Sequence, residues 1–117
     1  MKMTSKTYAM EILRDIKDCS RVVESKRKKN TDFMKKYSLF DEDVKEYVEN
    51  LNKDYFIEKI KNNDSKINAE YLYVFYKNLF LNDEYGQALE KVYIKVCRLE
   101  DVDETIFVVS FHDEYNF

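Results

Sequence analysis

Three residues in the last quarter of this 117-residue chain have the chemistry to move a proton or steady a phosphate. His112, the single histidine, ends the run TIFVVSFH. An imidazole titrates near neutral pH and works as either general base or general acid. Tyr93 and Lys95 stand two residues apart in EKVYIKVCRL. A lysine stabilises charge that builds on a phosphate in a transition state, and a tyrosine stacks on a base or donates a hydrogen bond. Together they make a kit for RNA chemistry without a metal. A solvent-facing sheet of ordinary polar residues carries the same types, so alternation alone leaves both readings open.

These residues share a site only if strands bring them to one face. EKVYIKVCRL alternates, with Val92, Ile94 and Val96 on one side and Tyr93, Lys95 and Cys97 on the other. In TIFVVSFH one set is Phe107, Val109 and Phe111, the other Ile106, Val108, Ser110 and His112. With the aromatic set inward, Ser110 and His112 join Tyr93 and Lys95 on the outer face. The acidic turn EDVDE between the segments is short, so they form an antiparallel pair. YLYVFYKNLFL, dense in aromatic and β-branched residues, reads as another strand, and NDEYGQAL, with the only glycine, as a turn-like connection.

The first half is helical in period. Tyr8, Ile12, Ile16 and Cys19 recur at helical spacing, which predicts a helix over residues 6–19. RVVES is too short to classify. Asn30 or Thr31 is placed to cap a short helix through Phe33, Met34 and Tyr37. SLFDEDVKEYVENL has an acidic first turn and the stripe Val44, Tyr47, Val48 and Leu51. Asn52 opens a further short helix, KDYFIEKIK, and NNDSKIN is a polar loop. The expected class is therefore α+β: one domain with N-terminal helices packed on one face of a C-terminal antiparallel sheet.

Composition narrows the function classes. The net charge of −3 conceals a basic first third, with 11 Lys/Arg against 5 Asp/Glu in residues 1–40. Such a chain is poorly suited to indiscriminate nucleic-acid binding yet able to carry a local phosphate patch, and Lys26, Arg27, Lys28 and Lys29 are its densest basic cluster. Cys19 and Cys97 lack a CxxC spacing and read as small buried hydrophobes. One histidine without a cysteine pair excludes a zinc site, and Gly-rich phosphate loops and GxSxG are absent. No cofactor or metal is expected. The sequence has no long apolar window and no signal-peptide pattern, so a cytoplasmic location is expected.

The order of segments from about Ser20 to His112 resembles the MqsR family of type II toxins, of the RelE-like ribonuclease fold. The pieces are a basic segment, FMKKYSLFDEDVKEYVENLNKDYFIEKI, a polar loop, an aromatic strand, VYIKV and IFVVSFH. The resemblance implies a metal-independent endoribonuclease that cuts mRNA by 2′-hydroxyl attack and is held inactive by a cognate antitoxin protein. It carries the family's strand tyrosine onto Tyr93 and its last-strand basic residue onto His112. Its two other site positions fall at Glu58, with Lys59 adjacent, and near Tyr73. Lys59, Lys95 and Arg98, with Lys28 and Lys29, would supply charge toward RNA. The substituted positions also fit a relative that has lost catalysis and acts as a protein-binding inhibitor of phage or mobile-element origin.

Overall fold

The computed structural model describes residues 3–113. Its helices are α1 (Met3–Asp18), α2 (Lys28–Lys36) and α3 (Asp41–Glu49), and its strands β1 (Arg21–Glu24), β2 (Phe56–Lys61), β3 (Tyr71–Asp83), β4 (Gly86–Arg98) and β5 (Thr105–Asp113). The sheet order is β1-β5-β4-β3-β2. The α+β class is as expected, but the sheet is mixed, because RVVE forms an edge strand parallel to β5. No helix among the described residues is long and apolar enough to cross a membrane.

The helices form where the apolar period is 3.6 residues. Ile12 and Ile16 from α1 with Cys19 just beyond its end, Phe33 from α2 and Tyr37 just after it, and Val44 and Val48 from α3 bury against Phe75, Val92, Ile94, Val96 and Phe111. All three helices thus cover one sheet face. The acidic first turn of α3 acts as expected: the Asp43 carboxylate accepts the Phe40 backbone N–H at 2.8 Å.

Several expectations change. Asn30 does not cap a helix; α2 begins at Lys28, and Asn30 lies inside it, 1% exposed. KDYFIEKIK is not a helix. Asn52 caps only a 3-10 turn, Lys53–Tyr55, accepting from the Asp54 N–H at 2.9 Å, and the chain then extends into β2. Apolar residues three and four apart simulate a helix there. The Tyr-Phe-Ile run favours a strand, and a register shift between Phe56 and Glu58 breaks its alternation. NDEYGQAL is mostly strand as well, for β3 and β4 stay paired out to Asp83 and Gly86 around a two-residue turn, with Gly86 at φ 126°.

The largest change is in β5. Lys95 pairs with Ser110 but Val96 pairs with Val108, so Val109 is an extra residue, a β-bulge. Phe111 therefore faces the helices with Ile94, while Ile106 and Val108, expected outside, also face inward. Phe107 and Val109, expected inside, face outward and pack with Ile67, Leu72 and Cys97 in a second small core.

β1 pairs with β5 only as far as Val108, with Ser25 N–H adding a last bond to the Val108 carbonyl at 2.8 Å. Beyond it the Asn30 amide takes over the strand's role. Its Nδ2 donates to the Val109 carbonyl at 3.0 Å and its Oδ1 accepts the Phe111 N–H at 3.0 Å. Asn30→Ala leaves both buried backbone groups without partners and should lower unfolding free energy by about 2–4 kcal/mol, read by urea titration. At the other edge of this junction Glu24, 5% exposed, shares a hydrogen bond with Asp41 beside Lys26. Burial first, then Asp41, raises the Glu24 carboxyl to about 7. The folded state thus holds this proton more tightly than the unfolded chain, and the associated stability is lost as pH rises through about 7. Thermal melts across that window should show the decline, and Glu24→Gln should flatten it.

Candidate functional site

The bulge gives the outer sheet face its order. Tyr93 lies directly opposite His112 on one side and Tyr76 on the other, and Lys95 lies opposite Ser110 and Val74. The ring centroids of Tyr76 and Tyr93 are 5.3 Å apart, and those of Tyr93 and His112 are 5.7 Å apart. Two lysines bracket this aromatic row, the Lys91 Nζ 4.7 Å from the Tyr76 ring centroid and the Lys95 Nζ 5.7 Å from that of Tyr93. These are cation–π distances. The expected trio of Tyr93, Lys95 and His112 is thus brought together.

His112 differs from expectation in its burial, being only 4% exposed rather than standing where the strand meets water. Its Nδ1 is 2.8 Å from the Asp113 carbonyl oxygen. A carbonyl only accepts, so Nδ1 carries the proton and Nε2 keeps the lone pair. Burial, with Lys29 and Lys95 also acting, outweighs the Asp113 carbonyl and pulls the imidazole below its ordinary value, so the neutral ring dominates at pH 7. Burial likewise lowers Lys95, with Arg27 adding to it, and burial raises Tyr93, whose phenol keeps its proton.

The basic segment borders this face from α2. The Lys29 charge reaches His112 and the Arg27 charge reaches Lys95. Lys28 is turned to its own helix, 2.8 Å from Asp32, and Arg27 also contacts Asp64 at 3.2 Å. A groove of about 460 Å³ runs beside Lys95, lined by Arg27, Lys61, Asn62 and Asp64.

Lys59, Tyr73 and Arg98 are on the opposite, helix-covered face, since Lys59 pairs with Tyr73 and Tyr73 with the inward Val96. The Lys59 ammonium sits among the rings of Tyr8, Tyr71 and Tyr73, at 4.5, 4.3 and 5.5 Å from their centroids, and 3.3 Å from Glu11. The Tyr73 phenol donates to Glu11 at 3.0 Å, and burial with this bond raises it. Arg98 contacts Asp15 on α1 at 3.1 Å. The adjoining cleft of about 450 Å³ also presents Glu70, Glu100, Asp103 and Glu104 and repels phosphate. These three side chains fasten α1 to the sheet. Glu58, not Lys59, pairs with Val74 on the outer face.

Tyr76 and Lys91 are the outer-face members that strand-by-strand reading passes over, and Arg27 joins them from the basic cluster. Counting by twos from a tight turn at Glu84 and Tyr85 would have set Tyr76 opposite Tyr93, but DEYG is a weaker hairpin signal than Asn-Gly. Lys59→Met keeps the stem and removes the charge held by three rings and a carboxylate. It should cost about 1–2 kcal/mol in a denaturant titration, with the native fold retained. No family model matches the chain, and no curated protein or solved structure matches it.

Proposed function

We propose that this protein is a toxin of a type II toxin–antitoxin system: a metal-independent mRNA endoribonuclease of RelE-like, MqsR-type descent, acting in the cytoplasm and restrained by a cognate antitoxin protein. The observation that carries the reading is the Tyr93–His112 contact at 5.7 Å with Lys95 on the same sheet face. His112 Nε2 takes the proton of a ribose 2′-hydroxyl, whose oxygen attacks the adjacent phosphorus. The bond from phosphorus to the 5′ oxygen breaks, leaving a 2′,3′-cyclic phosphate. The departing oxygen takes a proton from the Tyr93 phenol, and the phenol is restored by the proton held on His112. Lys95 and Lys29 bear on the charge that gathers on the phosphate oxygens.

A second reading keeps the fold and drops the chemistry: a protein-binding inhibitor of phage or mobile-element origin. It is favoured by the 4% exposure of His112 and by the anchoring of Lys59, Tyr73 and Arg98 to α1 or its carboxylates. The two separate on one assay. Purified protein with RNA and chelator should yield cyclic-phosphate and 5′-hydroxyl ends, and His112→Ala should slow the reaction about 100-fold or more with the circular dichroism spectrum retained. Because the base is a neutral imidazole held below its ordinary value, activity should persist on the acidic side of ~6.5 before falling. No cleavage by the wild type, or undiminished cleavage by His112→Ala, rejects the ribonuclease.

A further inference from the structure

The outer face continues past the Tyr76–Tyr93–His112 row. From Tyr76 to Asp83 and from Gly86 to Lys91, β3 and β4 pair with each other alone among the described strands. The outer side of this ribbon presents the cross-strand pairs Asn78–Lys91 and Phe80–Leu89. Phe80 is 66% exposed and Leu89 57% exposed. An opposed aromatic–aliphatic pair left in water forgoes the burial that would ordinarily stabilise it. The ribbon is not frayed, however, for its inner side is anchored. Leu79 and Leu81 are buried in the main core, and the Tyr37 phenol donates to Glu90.

We propose that the outer side of this ribbon is a second RNA subsite, in which unpaired bases stack on Tyr76 and Phe80 and Lys91 meets the phosphate between them. It rests on the ribonuclease reading for its substrate and extends that site along the strand. The pattern on the face selects this occupant. Aromatic and basic side chains alternate row by row, Phe80 with Leu89, then Lys91, then Tyr76 with Tyr93, then Lys95. Stacking platforms separated by cations match the base–phosphate repeat of a single strand. The ribbon's carboxylates Asp83 and Glu90 have the inward parity of Leu81 and Leu79, leaving Asn78, Asn82 and Gln87 as the polar groups beside the rings. Among the described residues Glu58, whose charge reaches Tyr93, and Asp64, paired with Arg27 at 3.2 Å, are carboxylates that border the outer face, both toward its β2 side and away from Phe80 and Lys91. In a chain with net charge −3, lysines set among the rings of one face complement a polyanion, and their alternation with those rings matches the repeat of a nucleic-acid strand.

The test uses the full chain and fluorescein-labelled 2′-O-methyl oligoribonucleotides, which cannot be cut, so that binding is read apart from cleavage. Anisotropy should show affinity rising with oligonucleotide length. The double variant Phe80→Ala/Leu89→Ala should weaken binding of the longer strand about ten-fold or more, as loss of a stacked base does. Lys91→Gln should reduce the slope of log affinity against log salt by about 0.7, one phosphate contact's worth. These positions are exposed, and an unchanged melting temperature confirms folding. Longer-strand binding that is indifferent to the double variant overturns the subsite. So does an absence of oligonucleotide binding by the wild type, including the case where the double variant instead abolishes self-association. Binding with these dependences but without cleavage of unmodified RNA sustains the subsite while removing the ribonuclease.

Discussion

The amide of Asn30 is the contact on which the arrangement of this protein turns. β1 is too short to cover the edge of β5, and past Val108 the strand carries a bulge. A bulged edge is the part of a sheet most exposed to fraying or to pairing with another chain. A primary amide has the donor and acceptor needed to imitate a neighbouring strand, and Asn30 supplies them to Val109 and Phe111 from inside α2. An aspartate would offer no donor and a leucine neither group. One side chain therefore completes the ladder, fixes the bulge and ties α2 to the sheet.

The bulge in turn decides which face receives His112. Suppose β5 ran without it from the Val96–Val108 pair. Ile94 would then oppose Ser110, Tyr93 would oppose Phe111, and His112 would enter the core beside Val92. Adding Val109 lets Ile106 and Val108 face the helices at one end while Phe111 faces them at the other. The cost is two successive outward residues, Val109 and Ser110. Val109 meets it by packing with Ile67, Leu72 and Cys97, the last a thiol pushed up to about 12 by burial and thus an inert part of that small core.

This is also why the sequence was legible in part. Periodicity located α1, α3, the two long strands and β5, because a buried stripe repeats along each. It correctly paired Tyr93 and Lys95 with Ser110 and His112, since those positions lie on one side of the bulge. It misassigned Phe107, Val109, Ile106 and Val108, which lie on the other side or within it, where a one-residue insertion inverts every face. Lys59 and Tyr73 entered through the family resemblance and not through periodicity, and the structure sets them on the helix-covered face. Their place depends on the β2–β3 register, and the irregularity between Phe56 and Glu58 cannot be counted through. Asn30 looked like a cap because caps are the usual work of asparagine near a helix start; its real partners are about eighty residues away in sequence.

The two sheet faces divide the chain's charge. On the helix side Glu11 takes Lys59 and Asp15 takes Arg98, so cations there are spent on holding α1. On the outer side Lys91 and Lys95 lie against the Tyr76 and Tyr93 rings at cation–π distance. α2 joins the arrangement at both ends. Its N-terminal half brings Asn30 to β5 and the charge of Lys29 to His112, while Tyr37 at its C-terminal end fastens the inner side of the β3–β4 ribbon through Glu90. The positive outer face thus depends on a helix fixed at two points, and a change that loosens Asn30 would disturb the field at His112 as well as the ladder of β5.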